Sequence, residues 1–163
     1  MTSRSSIKLA YIDTPLGVAR VKGTEKGISE VSILDEDQEH SQEVPTELKA
    51  CCDQLTAYFQ GELKEFDLEF DLEGTPFQQK IWKQLLTIPF GVTSTYTEQS
   101  DLHGDLKAIR AVGHAIGRNP LWIIIPCHRV VGSNGELRGY AGGLWRKKWL
   151  LEHESPPSQI KLF

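Results

Sequence analysis

Apolar and polar residues form short alternating runs through the first third of the chain. IKLAYIDTPLGVARVKGTEKGISEVSIL is broken by Thr14-Pro15-Leu16-Gly17 and by Lys22-Gly23-Thr24-Glu25-Lys26-Gly27, turn signals at hairpin spacing. The pattern predicts a small antiparallel sheet. A polar, acidic loop follows at DEDQEHSQEVP. In TELKACCDQLTAYFQGE the residues Leu48, Cys51, Cys52, Leu55, Tyr58 and Phe59 recur at helical spacing, with Gly61 as the stop. Cys51 and Cys52 fall on the apolar face of that helix, so packing is their expected role. No cysteine or histidine in this half has zinc-finger spacing around them. EFDLEFDLEG alternates acid and apolar residues, as a strand with one wet face would. A domain boundary is expected near Gly74, separating residues 1–73 from 74–163.

The second half reads as mainly helical. TPFQQKIWKQLLTIPFG offers Thr75 as N-cap and Pro76 as first helical residue, with Phe77, Ile81, Trp82 and Leu85 as the apolar stripe. A short helix in TEQSDL, a turn at Gly104 and a helix across DLKAIRAVGHAIGRN follow, ended by Asn119-Pro120. Helix, short turn, helix is the pattern of a helix-turn-helix unit, although many helical hairpins never meet DNA. LWIII is expected as a short apolar strand running into Pro126-Cys127. VVGSNGELRGYAGG reads as a strand and a glycine-rich loop, with Asn134-Gly135 as the tight turn. LWRKKWLLEHE is a closing helix.

Composition narrows the class. The chain has 163 residues, 39% hydrophobic and 25% charged, which describes a globular protein of one ordinary or two small domains. No apolar run has the length of a membrane span, and the first residues lack the apolar stretch of a secretory signal. Three cysteines, two of them adjacent, make no disulfide framework and suit a reducing compartment, cytoplasmic or, in a eukaryote, nuclear. The net charge of −4 is unevenly divided. Residues 1–75 hold 7 basic and 16 acidic side chains, whereas residues 76–163 hold 11 and 6. The asymmetry fits an acidic support domain beside a basic, polyanion-facing one.

The candidate chemistry sits in IIIPCHRVVG, residues 123–132. A lone cysteine behind three isoleucines is most simply a small buried hydrophobe. Three features favour a nucleophile. Pro126 cannot donate a ladder hydrogen bond, so the strand should end or bend there. His128 supplies a neighbouring base. Glycines at 132, 135, 139, 142 and 143 let a substrate approach the backbone. Adjacent residues on a regular strand point to opposite faces, so Cys127 and His128 are expected to communicate through a water. His128 then needs an orienting carboxylate, and spacing alone leaves Glu152 and Glu154 both open.

PCHRV at 126–130 resembles the active-site signature of the O6-alkylguanine-DNA alkyltransferases, the methylated-DNA–protein-cysteine methyltransferases. GTPFQQKIWKQL, IPFG, Thr95-Tyr96, KAIRAVGHAIGRNP, IIIPCHRVVGSNGELRGYAGG and RKKWLLEHE are similar to that family in order and near its spacing, densely over residues 74–154. The resemblance implies an α+β fold: an N-terminal domain with a small antiparallel sheet and helix, then a mainly helical, winged helix-turn-helix domain. It implies stoichiometric transfer of an alkyl group, a methyl in the simplest case, from O6 of guanine in double-stranded DNA to Cys127. His128 resembles the base that takes the thiol proton through water, and Glu154 the carboxylate that orients it. Tyr96 corresponds to the tyrosine that hydrogen-bonds the guanine edge and helps rotate the 3′ phosphate during base flipping. Arg110 resembles the arginine finger that fills the gap left by the flipped base. Ala108, Ala111, Gly113 and Ala115 are small residues expected to bring that helix close to the minor groove, with largely sequence-independent binding. Asn119 looks like the asparagine tying the helix-turn-helix to the active-site segment. Val130, Tyr140, Ala141 and Gly142 match the pocket wall, with alanine where relatives often carry serine. Lys147 and Arg129 match basic positions of less defined role. Trp122 stands where relatives often carry a smaller residue, which implies a narrower pocket. No cofactor and no metal are expected, since the early cysteines that bind zinc in some members are missing; the protein is expected to act as a monomer, without a membrane partner.

Two other readings compete. A non-catalytic sensor of O6-alkylguanine that recruits other repair proteins would need no nucleophile beside a base. A cysteine hydrolase would need an oxyanion hole, which glycine-rich backbone can provide, but explains neither Arg110 nor the basic half.

Overall fold

The computed structural model describes residues 6–155. They fall into two compact units: residues 6–73 with 120–122, and residues 74–119 with 123–155. A single cut near Gly74 does not anticipate the return of residues 120–122 to the first unit.

In that unit, β1 (Lys8–Thr14), β2 (Gly17–Thr24) and β3 (Gly27–Ile33) form an antiparallel meander in the order β1-β2-β3. Both tight turns lie where Pro15 and Gly17, then Lys26 and Gly27, interrupt the apolar pattern. Gly27 is at φ +148°, and a Cβ there would come within 2.6 Å of the Glu69 backbone, so no side chain fits. Alternation, reset by a register shift where Lys22 pairs with Glu30 and Gly23 with Ile28, puts Ala10, Ala19, Val21, Ile28 and Val31 on the buried face. Helix α1 (Thr46–Phe59) packs its Leu48, Cys51, Cys52, Leu55 and Tyr58 face there, and both cysteines are free and buried as expected.

Two segments expected as strands are not ladders. EFDLEFDLEG meets the sheet at a single bridge, Phe70 to Ile28. Upstream, the Gln54 side chain donates to Asp67 O at 3.0 Å and accepts from Asp67 N at 2.9 Å, supplying the partners a strand would have offered. Similarly, LWIII bridges only at Leu121, opposite Val31, and then breaks into a turn. Ile123 adopts φ +76°, a left-handed conformation that costs a β-branched residue about 1–3 kcal/mol. The isoleucines are buried, as their composition requires, but not extended.

The second unit is helical: α2 (Pro76–Leu85), α3 (Tyr96–His103), α4 (Ile109–Gly117) and α5 (Leu144–Glu154). Thr75 and Gln78 close a capping box on α2, and Thr95 and Glu98 do the same on α3. Gly104 ends α3 in the left-handed region at φ +99°. Asp105 then caps the short 3-10 turn Leu106–Ala108 that leads into α4. The α2, α3 and α4 helices pack together, pinned by a buried bond from Trp82 Nε1 to Ala115 O at 2.9 Å. Two short strands of this unit, β4 (Ser94–Thr95) and β5 (Val130–Val131), pair in parallel and place the start of α3 beside the end of the PCHRVV segment. The result is an α+β chain with an N-terminal sheet unit and a helical helix-turn-helix unit.

Candidate active site

Everything at the centre of the site hangs on a sharp local geometry. The amide of Cys127 donates to Ile125 O at 2.7 Å, across Pro126, and Cys127–Arg129 then form one 3-10 turn. The expected strand has already ended at Ile123, so Pro126 bends a segment that is a turn and not a ladder. Because the backbone turns, the opposite-face expectation for neighbouring strand residues does not govern Cys127 and His128.

Asn119, buried at the end of α4, donates its side-chain amide to the same Ile125 carbonyl at 2.7 Å. It also hydrogen-bonds the Cys127 side chain and so favours the thiolate, as the Lys147 ammonium does by charge. Burial outweighs both: Cys127 is 6% exposed and its thiol is pushed up to about 11. The shift favours a thiol at neutral pH, consistent with a nucleophile whose proton must be taken by a base.

The choice between Glu152 and Glu154 is made by the fold. His128, fully buried, contacts Glu154 Oε2 through Nε2 at 2.7 Å, whereas Glu152 is exposed. The other ring nitrogen, Nδ1, is buried without a hydrogen-bond partner among the described residues. Burial lowers the His128 pKa; Glu154 opposes that shift without cancelling it. Glu154 itself is held well below the usual carboxylate range by His128 and Arg129, against the effect of its burial.

Arg129 and Lys147 carry more of the site than their sequence positions implied. Arg129 forks onto Glu154, Nε to Oε1 at 2.7 Å and Nη2 to Oε2 at 3.0 Å, and donates Nη1 to Ile88 O at 2.6 Å. Lys147 is 0% exposed, and its ammonium donates to Val130 O and Arg138 O at 2.6 Å and to Gly139 O at 3.3 Å. Burial lowers its pKa to about 8. A signal for Lys147 was available: it shares a helical face with Leu150, Leu151 and Glu154 at spacings of three, four and seven, all of them buried. Arg129 had no such marker, because a 3-10 turn sets its direction.

Tyr96, first residue of α3, donates its hydroxyl to the Arg138 carbonyl at 3.1 Å, sharing that acceptor with Lys147. Burial and the proximity of Cys127 raise its pKa, so it stays a phenol and a proton donor. The Tyr140 hydroxyl is likewise buried, within electrostatic reach of Cys127. Gly142 is buried and accepts Arg146 Nη1 at 3.0 Å through its carbonyl, Val130 is buried, and Ala141 is exposed. Tyr96, Asn119, Cys127, His128, Val130, Tyr140, Lys147 and Glu154 thus belong to one connected cluster in the second unit. Trp122 is built into the first unit, its amide donated to Val31 O at 2.9 Å.

On α4, Arg110 and Ala111 are exposed, as a helix presented to a large partner requires. Two of the small residues read as making room for a groove have other neighbours. A Cβ on Gly113 would meet the Tyr96 ring at 3.8 Å, and Ala115 is buried behind the Trp82 bond. The first distance is an ordinary contact with α3, and the second neighbour belongs to α2. Among the described residues, no group of three or more histidine, cysteine or acidic side chains is placed to hold a metal, and no helix is long and apolar enough to cross a membrane.

Comparison with known proteins agrees across both units. Residues 76–156 match the family model for the 6-O-methylguanine DNA methyltransferase DNA binding domain, and residues 7–72 the one for its ribonuclease-like domain. A methylated-DNA–protein-cysteine methyltransferase of Mycobacterium tuberculosis is 47% identical over 158 residues, covering 93% of this chain and 96% of the relative. One from Methanosarcina barkeri is 44% identical over 150 residues, covering 88% and 94%. A crystal structure of the M. tuberculosis O6-methylguanine methyltransferase superposes with a TM-score of 0.81 at 45% identity, over 93% of this chain and 96% of that one. The M. tuberculosis OGT in complex with DNA gives 0.80 at 45% identity, over 92% and 96%.

Proposed function

The chain belongs to the 6-O-methylguanine DNA methyltransferase family, and on that premise we propose how its own residues carry out the reaction. The activity is direct reversal of DNA damage: the methyl or other alkyl group on O6 of guanine passes to a cysteine of the protein, which acts once. DNA is its partner. Cys127 is the acceptor. The observation that carries this assignment is the buried His128–Glu154 contact at 2.7 Å directly after that cysteine.

The thiol must lose its proton for sulfur to attack. His128 accepts it at Nδ1 through a bridging water, while Glu154 stabilises the charge that the ring gains. Sulfur then forms a bond to the alkyl carbon as the C–O6 bond breaks. The electron pair stays on the guanine oxygen, and guanine recovers its normal form by taking up a proton. Tyr96, a phenol within reach of Cys127, is placed to donate a hydrogen bond to the base as that charge develops. To do so it must release Arg138 O, whose bond to Lys147 remains. Val130, Tyr140, Ala141 and Gly142 wall the pocket.

A base inside a duplex is out of reach, so the damaged guanine must be extruded, at a cost of a few kcal/mol. Exposed Arg110 fills the vacated place in the stack, and α4 lies along the minor groove with little sequence preference, the protein acting as a monomer. Arg110→Ala should therefore slow repair of a duplex far more than reaction with free O6-methylguanine base; equal slowing of both would remove the finger assignment. A sensor that merely binds damage leaves the Cys127–His128–Glu154 chain without a purpose. Incubation with duplex DNA containing O6-methylguanine, followed by mass spectrometry, tests the whole reading. One methyl per chain, located on Cys127 and without turnover, is expected. An unchanged mass with tight binding would establish the sensor instead.

A further inference from the structure

We infer that Arg129 is a positioning residue of the alkyl transfer: its forked contact with Glu154 holds His128 as a neutral ring protonated on Nε2, with Nδ1 left as the accepting atom. The inference rests on the function proposed above and adds to it the residue that sets the protonation state of the base.

The geometry carries the argument. Arg129 engages both oxygens of Glu154, at 2.7 and 3.0 Å, and its remaining nitrogen is anchored on Ile88 O at 2.6 Å. Its direction is thereby fixed from two sides, and the three side chains are almost fully removed from water. A guanidinium is charged at every accessible pH, so the carboxylate beside it remains ionised and can only accept hydrogen bonds. At 2.7 Å from Oε2, His128 Nε2 must then be the donor. A neutral imidazole with its proton on Nε2 has its lone pair on Nδ1, the atom that lacks a partner among the described residues.

Charge balance points the same way. A buried histidine facing a lone carboxylate would be drawn toward imidazolium. Here the charged groups facing the ring are Glu154 and Lys147 from α5 and Arg129 from its own turn, next to the Cys127 thiol: one anion against two cations. A base that already carries its proton cannot take one from the thiol. Burial disfavours that state most, and Arg129 offsets the pull of Glu154 toward it.

The first test needs no substitution. Nitrogen-15 NMR of the full chain carrying labelled histidine, with the His128 signals identified by their loss in His128→Gln, reads the ring directly. It should be neutral and Nε2-protonated at pH 7, staying so below the ordinary histidine pKa of about 6.5. A doubly protonated ring at pH 7, or a neutral ring protonated on Nδ1, overturns the proposal. The second test is the pH dependence of methyl transfer. Arg129→Gln should move the acid limb of the rate up by about one pH unit, the size of effect a neighbouring charge exerts. Arg129→Lys, which keeps the charge, should leave the limb in place even where the rate falls. An unmoved limb in Arg129→Gln, with only the rate lowered, makes Arg129 a packing residue and overturns the assignment. Should Arg129→Gln not fold, the wild-type ring state decides alone. Because that spectrum needs neither DNA nor transfer, a chain with the expected ring that accepts no methyl group refutes the proposed function and not this inference.

Discussion

Asn119 and Cys127 are joined through one carbonyl. The Asn119 amide and the Cys127 backbone N–H both donate to Ile125 O, each at 2.7 Å, so the end of α4 sets the position of the nucleophile. Asn119→Ala removes a buried bond from a segment already strained at Ile123. The expected loss is about 1 kcal/mol of stability, read as a lower urea midpoint at unchanged slope. Methyl transfer should fall by more than that stability loss explains, because the cysteine loses both its position and a hydrogen bond to its sulfur.

Cys127 in the free protein should be a poor nucleophile toward general thiol reagents. With its pKa near 11, against about 8.5 for an unperturbed thiol, the thiolate fraction at pH 7–8 is about three hundredfold smaller. The check is the pH dependence of iodoacetamide labelling, quantified on the Cys127 peptide. An inflection near or below pH 8.5 would contradict the burial seen here. Cys52, at about 11, should be comparably slow, and Cys51, at about 12, slower still.

Acid should unfold the second unit through the same network that serves chemistry. His128 has a folded pKa below its unfolded value, so acidification through about 6.5 protonates the unfolded chain first and lowers stability. Glu154, also depressed in the folded state, contributes stability that is present above about 4.3 and lost as the pH falls further. Urea unfolding across pH 2–8 should show a decline that steepens toward the acid end, below about pH 4.3. Glu154→Gln should be less stable at pH 7 and lose the steep part, since it has no carboxylate to protonate.

Lys147→Met leaves the Val130, Arg138 and Gly139 carbonyls without their shared donor. A cost of roughly 2 kcal/mol is expected, together with faster hydrogen exchange across residues 138–143, while exchange in α2 should be unaffected. Exchange unchanged in that loop would show that the ammonium does not hold it.

How much of this was legible in the chain differs by element. The two hairpins, α1, and the Thr75-Pro76 start of α2 were readable because each depends on residues within one or two turns: Gly27, the Leu48–Leu55 stripe, the Thr75–Gln78 capping box. EFDLEFDLEG and LWIII misled because alternation and apolar content report which side chains are buried, not where backbone groups find partners. Gln54 supplies them in one case, and a turn at Ile123 removes the need in the other.

At the site, the sequence by itself determined which residues can react: a cysteine followed by a histidine, carboxylates one closing helix away, an asparagine ending the preceding helix, and a basic half to meet DNA. These follow from residue type and local spacing. Spacing left Glu152 and Glu154 open and the family resemblance pointed to Glu154; the tertiary structure sets it against His128. Only that structure decided that Arg129 claims the same carboxylate, that Lys147 lies inside, and that burial favours the Cys127 thiol. Each of these depends on desolvation and on contacts between residues that lie far apart along the chain, and a pattern of neighbours along a chain carries neither.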